Sequence, residues 1–333
     1  MKKVSMLSLS IILVIAMFTG CGKSEAKTGL AVINSIAKST SATVDAAGLA
    51  EVDSTVVAVL VAKNGKILDC KINAMQTKVN FSTEGKLTTD LATVFKSKQE
   101  LGTEYGMLKA SAIGKEWNEQ ANAFAKYVIG KTVDDVKGIA VTAEGAAADA
   151  DLAASVTVHI GDFIAGVEKA VNNALALGAK DGDKLGLAVT SSIAKSKDAA
   201  ADADGLAQAY SYYAAITTDA KGKITSSVLD ASQGNVNFSL AGAVTSDLTL
   251  APQTKQELKE AYGMKASSVI GKEWYEQANS FAKYATGKTI DEVKGTAVTA
   301  EGVASDADLA SSVTVHIGDF IKVIDKAVAD AAQ

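Results

Sequence analysis

Asp149-Ala150-Asp151-Leu152-Ala153-Ala154-Ser155-Val156-Thr157 places an aspartate six residues before a hydroxyl in a stretch of small side chains. The arrangement returns as Asp306-Ala307-Asp308-Leu309-Ala310-Ser311-Ser312-Val313-Thr314, and in both places Gly-Asp follows and opens a helix. A serine oxygen among such small neighbours is an uncrowded nucleophile. The plainer alternative is a polar loop leading into a strand and a helix. The later threonines, Thr157 and Thr314, are the second hydroxyls of each segment.

Other spacings lead away from known chemistries. Gly130-Lys131-Thr132 and Gly287-Lys288-Thr289 end like a phosphate-binding loop, but Ala125 and Ala282 stand where its first glycine belongs. A helix-ending glycine followed by an N-cap threonine accounts for both. Ser35-Ile36-Ala37-Lys38 has the spacing of a penicillin-binding serine and lysine, yet no Ser-Asp-Asn occurs and Lys27-Thr28-Gly29 lies on the wrong side of it. No Gly-x-Gly-x-x-Gly is present, so nothing suggests a nicotinamide-binding domain. His159 and His316 occur singly, without a Cys/His cluster, and no metal is expected. They are read as surface residues or residues beside a cofactor.

These segments sit in a tandem duplication with a constant offset of 157 residues. Gly29-Leu30-Ala31-Val32 returns as Gly186-Leu187-Ala188-Val189, Val79-Asn80-Phe81 as Val236-Asn237-Phe238, and Gly114-Lys115-Glu116-Trp117 as Gly271-Lys272-Glu273-Trp274. So long a period is a duplicated domain rather than a solenoid, and two copies of a domain imply two copies of its site. The expected boundaries are copy one at 29–177, a linker at 178–184 whose glycines let the second copy swing outward, and copy two at 185–333. Within a copy, strands come first: Val56–Val61, an Asn64-Gly65 hairpin turn, and Ile67–Ile72. Helices follow, with Trp117, Ala121, Phe124 and Val128 at helical spacing and a capping box at Thr132 with Asp135, repeated at Thr289 with Glu292. The expected class is α+β, antiparallel strands followed by helices in each copy.

Composition narrows the partners. The chain has 333 residues, 48% hydrophobic but only 5% aromatic, so it can build real cores. All 33 basic residues are lysine, which excludes any site built on a guanidinium fork. With 38 acidic residues the net charge is −5, and no basic patch points to nucleic acid. Met1-Lys2-Lys3, the apolar run Ile11–Phe18 and Thr19-Gly20-Cys21 have the shape of a secretory signal peptide, too short to span a bilayer. Phe18-Thr19-Gly20-Cys21 resembles the lipobox of bacterial lipoproteins. That resemblance implies cleavage after residue 20, lipid on Cys21, a tether at 21–28 and a place on the outer face of the cell membrane. Cys70, in an alternating strand, is read as a small packing residue, and with Cys21 lipidated no intramolecular disulfide can form.

The repeated Asp-to-Thr segment resembles the attachment motif of the FMN-binding domain family, in which an FMN transferase joins the FMN phosphate to a hydroxyl as a phosphoester. Position by position, Asp149 and Asp306 match the motif aspartate, Ser155 and Ser312 the acceptor, and Thr157 and Thr314 the later threonine. The acceptor here is Ser where Thr is commoner, and Leu152-Ala153 stands where many members have Ser-Gly. Together with Glu104-Tyr105-Gly106-Met107 and Gly114–Gln120, the duplicated chain is similar to the flavinylated pheromone-lipoprotein group of Gram-positive extracellular electron transfer. The resemblance implies two covalent FMN groups per chain, an FMN transferase, a membrane electron donor and an extracellular acceptor, in a carrier more than a turnover enzyme. Tyr105, Met107 and Trp117, with Tyr262, Met264 and Trp274, become candidates for the isoalloxazine pockets, although the tryptophans equally suit core packing. The alternatives are a non-flavinylated surface-binding lipoprotein and a flavin reductase with its own substrate.

Overall fold

The structure is a computed structural model that describes residues 24–333. The expected signal peptide and Cys21 lie outside the described residues. Copy one forms an antiparallel sheet of β1 (Ala26–Ser35), β2 (Gly48–Ala62) and β3 (Ile67–Phe81) in that order. Short α1 (Lys98–Leu101), α2 (Trp117–Val128), α3 (Val133–Lys137), α4 (Ala150–Ala153) and α5 (Gly161–Asn172) follow it. Copy two repeats the order with β4 (Lys184–Ser192), β5 (Gly205–Thr218), β6 (Ile224–Phe238), α6 (Lys255–Leu258), α7 (Trp274–Ala285), α8 (Ile290–Lys294), α9 (Ala307–Ala310) and α10 (Gly318–Ala331).

The fold is therefore mixed α+β in two similar tandem units, as the sequence pattern predicts. The β2–β3 turn falls at Asn64-Gly65, where Gly65 takes φ 79° and Lys66 N donates to Asn64 Oδ1 at 3.1 Å. β2 and β3 each run 15 residues, well beyond the apolar hexads that marked them. Thr132 and Thr289 cap α3 and α8 through the expected boxes. Cys70 is buried and free, and burial pushes its thiol far up. No helix among the described residues is long and apolar enough to cross a membrane.

Each sheet is buried on both faces. Along β2, Val57, Val59 and Val61 pack under the helices of copy one, while Val56, Ala58 and Leu60 pack against Leu185, Leu187 and Tyr213 of copy two. The continuous apolar run at 56–61 records this double burial. The result is helices, sheet, sheet, helices, with two inter-copy cores in the middle.

The segment at 178–184 is not the swinging linker expected from its composition. Residues 178–184 are bonded to both copies rather than swinging: Ala26 N donates to Ala179 O at 2.9 Å, Asp181 N to Ser24 O at 2.8 Å, and Thr225 Oγ1 to Asp183 Oδ2 at 2.7 Å. β1 likewise begins at Ala26, so residues 26–28 belong to the sheet and not to a tether. The physical reason is the apolar inner face of each sheet, which only the other copy covers.

The copies face each other about a pseudo-twofold axis. Phe81 stacks on its own counterpart Phe238 at 4.2 Å between centroids and 9° between planes. Glu100 pairs with Lys326 and its counterpart Glu257 with Lys169, each across the seam. Leu87 N donates to Asp198 at 2.8 Å and its counterpart Val244 N to Ser41 at 2.9 Å. This is the isologous arrangement of a homodimer, written into one chain.

The repeated Gly29 and Gly186 have a packing reason. A Cβ on Gly29 would stand 1.9 Å from Ala170 O in α5, and one on Gly186 1.9 Å from Ala327 O in α10. Gly29→Ala is expected to destabilise the protein by about 1–3 kcal/mol through forced separation of strand and helix. Denaturant titration measures it, and an unchanged midpoint would contradict the close approach.

Candidate functional site

The repeated motif is a capped single turn. Asp149, exposed, sits at the N-cap of α4 and accepts from Leu152 N at 2.9 Å, and Asp306 accepts from Leu309 N at 3.0 Å in copy two. Leu152 and Val156 are buried on either side of half-buried Ser155, so the serine rides on an anchored turn. Ser155 Oγ donates to its own turn, at Leu152 O, over 3.4 Å, and Ser312 Oγ to Leu309 O over 3.1 Å. Both hydroxyls make only local bonds, the first of them long.

The neighbouring threonines are tied elsewhere. Gln120, fully buried in α2, accepts from Thr157 N at 2.8 Å, Thr157 Oγ1 at 3.2 Å and Val158 N at 3.1 Å. Its Nε2 donates to Ser111 Oγ and Lys115 O, both at 3.1 Å. Gln277 repeats the clamp on Thr314 and Val315. The clamp fixes the segment after the serine, which is a loop rather than a strand, to the first turns of α2 and α7, which also carry Trp117 and Trp274. Sequence reasoning missed these glutamines, although a polar residue on the apolar stripe of both helices marked them. Gln120→Leu leaves two backbone N–H groups without their acceptor and should cost about 1–3 kcal/mol. Hydrogen exchange should speed locally at Thr157 and Val158; unchanged protection there would rule the clamp out.

In copy two the candidate pocket residues converge. Tyr262, Met264 and Trp274 line one cavity of about 480 Å³, together with Tyr210, Tyr212, Lys255, and Val315 and His316 from the loop just after Thr314. Met264 is fixed by buried Glu273, whose carboxylate accepts from Met264 N and Lys265 N at 2.9 Å each. Tyr210 and Tyr212 stack at 4.8 Å. His316 is exposed. In copy one Tyr105 and Met107 pack on the core containing Trp117, and Glu116 binds Met107 N and Leu108 N in the same way. Trp117 and Trp274 are both buried in the core, meeting Phe163 and Phe320 edge-on at 5.8 and 5.6 Å between centroids, and Trp274 also lines the cavity.

Lys255 is the second feature the sequence did not reveal. Its Nζ lies 4.5, 4.2 and 4.9 Å from the ring centroids of Tyr210, Tyr262 and Trp274, and it donates to Tyr210 OH. Burial lowers its pKa to about 7, with nearby Lys195 adding to the shift and Asp230 opposing it. The three ring faces make the site tolerable for an ammonium. Burial also pushes the Tyr210 hydroxyl far up and the Tyr212 hydroxyl to about 12, so both are neutral donors. Lys98, the counterpart in copy one, is only half-buried and lies over two rings, Tyr105 at 4.5 Å and Trp117 at 5.1 Å.

A larger cavity, about 1120 Å³, lies in the seam between the copies beside the Lys169–Glu257 pair, away from the motif. No cluster of metal-ligating side chains occurs among the described residues.

No protein-family model matches the chain, and no solved structure matches it. A stretch of 42 residues is 57% identical to chlorophenol reductase of Desulfitobacterium hafniense, covering 13% of this chain and 13% of that protein. The chain is thus similar, over about an eighth of its length, to a protein whose name is that of a redox enzyme.

Proposed function

We propose that the protein is a membrane-anchored electron carrier holding two covalent FMN groups, on Ser155 and Ser312. The observation that carries this reading is the second cavity: Tyr262, Met264 and Trp274, chosen from sequence, line one space with the loop that leaves the acceptor segment. The residues fit the group. A cavity of about 480 Å³ with aromatic walls suits a planar ring system. A half-buried serine on a rigid turn suits attachment, and a chain without arginine gains from a covalent link to the phosphate.

When bound, the flavin supplies the electron-accepting chemistry, and the chain supplies attachment, orientation and tuning. Asp149 and Asp306 hold the turn that presents the serine. Gln120 and Gln277 fix where the chain goes next, and the aromatic residues and Met264 shape the seat for the ring. An FMN transferase is the modifying partner, a membrane donor supplies electrons, and an extracellular acceptor removes them. The partial match to a reductase supports redox work in general and leaves a flavin reductase with its own substrate as the second reading. Intact mass and a visible spectrum, taken on protein produced together with an FMN transferase, test the proposal: two adducts and a yellow protein are expected. Colourless, unmodified protein would overturn it. Turnover with a defined substrate would favour the reductase.

Anchoring is the third part of the proposal. Cys21→Ala is expected to move the protein from the membrane fraction to the medium or leave it unprocessed. A mature, membrane-bound variant would refute lipidation at Cys21. With β1 starting at Ala26, five residues span at most about 18 Å, so the sandwich would be held close to the bilayer.

A further inference from the structure

The duplication supplies an internal comparison, because every residue around the second cavity has a counterpart 157 positions earlier. Ten of the fifteen lining residues match their counterparts; Thr190 replaces Ile33 and Ser191 replaces Asn34, and three further differences change charge or ring content. Tyr210 replaces Asp53, Tyr212 replaces Thr55, and Lys322 replaces Ala165. The second cavity is thus lined by Lys195, Lys255, Lys322 and a single carboxylate, Asp319. The equivalent positions of copy one hold Lys38, Lys98, Asp53 and Asp162. Over these lining positions the difference is two positive charges in favour of copy two; behind them Asp230, its carboxyl raised by burial to about 7, acts on Lys255 where copy one has Asn73.

The neutralisation in copy one is direct, since Lys38 pairs with Asp53 at 2.7 Å and with buried Glu51 at 3.6 Å. Lys195, its counterpart, lies instead over the Tyr210 ring at 5.8 Å, and Gln208 stands in place of Glu51. The remaining lysines differ in burial as well as number. Lys255 is 2% exposed beneath three rings, whereas Lys98 is half-buried beneath two. A buried cation acts through a lower effective dielectric than a half-exposed one.

We propose that the two sites are inequivalent by construction, with Lys255, Tyr210 and Tyr212 making the second a seat for an electron-rich planar ring, so that it holds its cofactor at the more positive potential. This rests on the flavin reading given above. A cation held beside a ring system stabilises the form that carries extra electron density, and flat tyrosine faces add contact area that Asp53 and Thr55 cannot give. Electrons entering at either site would then collect at the second, the first ring being oxidised as the second is reduced.

The test uses singly loaded full-length protein, Ser155→Ala for the second site and Ser312→Ala for the first, made with an FMN transferase and titrated at pH 6, where Lys255 is protonated. The second site is expected to favour reduction over the first by at least tenfold in the exchange equilibrium, about 30 mV for a two-electron couple. Lys255→Met should remove most of that difference, and Lys98→Met should move the first site by less. Tyr210→Phe, which keeps the ring and drops the hydroxyl, separates ring contact from hydrogen bonding to the lysine. Equal midpoints in the two parent proteins, or a Lys255→Met protein that keeps the full difference, would overturn the inference while leaving two-site flavinylation intact. Absence of any adduct would instead strike the proposed function. The inequivalence is then decided on unmodified protein by riboflavin quenching of tryptophan fluorescence, because the two tryptophans stand one per site. With Trp117→Phe reporting on Trp274 and Trp274→Phe on Trp117, at least tenfold tighter binding is expected at the second site, and equal binding overturns it.

Discussion

Ser155→Ala is expected to remove one flavin adduct per chain and Ser312→Ala the other, with the double variant colourless. The expectation follows from the proposal that these hydroxyls accept the FMN phosphate, and the geometry separates them from their neighbours. Thr157 Oγ1 is bonded to buried Gln120 at 3.2 Å, inside a clamp that also holds two backbone N–H groups. Ser155 Oγ makes one long bond to its own turn. Attaching a bulky phosphoester to Thr157 would break the clamp, whereas attaching it to Ser155 disturbs only that turn. Peptide mass mapping decides the matter, and an adduct on Thr157 or Thr314 would show the acceptor to be misassigned. Asp149→Ala should slow modification of Ser155 and cost about 0.5–2 kcal/mol, the worth of an N-cap, because the carboxylate is exposed and holds α4 through Leu152 N. A variant that is modified at the parent rate would assign Asp149 to the turn alone.

What the sequence made legible was whatever repeats locally. The Asn64-Gly65 turn, the Trp117 to Val128 stripe and the Thr132 capping box each depend on neighbours within a few residues, and each was found where the pattern put it. The convergence of Tyr262, Met264 and Trp274 was reachable only through family resemblance, since the loop joining them has no periodicity. Lys255 was not legible: a lysine in a four-residue helix looks like a solvated charge until Tyr210 of β5, Tyr262 and Trp274 close over it. The seam was misread for a related reason. Glycines and aspartates at 178–183 describe a linker by composition, but composition says nothing of the inner sheet face that pulls both ends together. The apolar run at 56–61 held that information, because a strand buried on only one face would alternate.

Cutting the chain between its copies is the change with the largest expected effect on the fold. Residues 24–177 alone would expose Leu30, Val32, Val56, Ala58, Leu60 and Met75, none of them more than 5% exposed in the whole protein. At roughly 1.5–3 kcal/mol for each large side chain, the loss is on the order of 10 kcal/mol, comparable to the total stability of an ordinary domain. An isolated copy should therefore not persist as a monomer. The pseudo-twofold offers a homodimer as the escape, with Phe81 stacking on a second Phe81, but the inner faces have diverged. A Cβ on Gly234 of β6 would lie 2.4 Å from Val52 of β2. Its counterpart in copy one is Thr77, and the counterpart of Val52 in copy two is Ala209. A dimer of copy one would set Thr77 against Val52 and overpack, while a dimer of copy two would set Gly234 against Ala209 and leave a gap. Each face is shaped for the other copy, so separately produced halves should associate one to one when mixed, in preference to either homodimer. Light scattering on the halves, alone and mixed, measures this. Thr77→Gly should relieve the copy-one homodimer, and a stable, cooperatively melting monomer of either half would refute the argument.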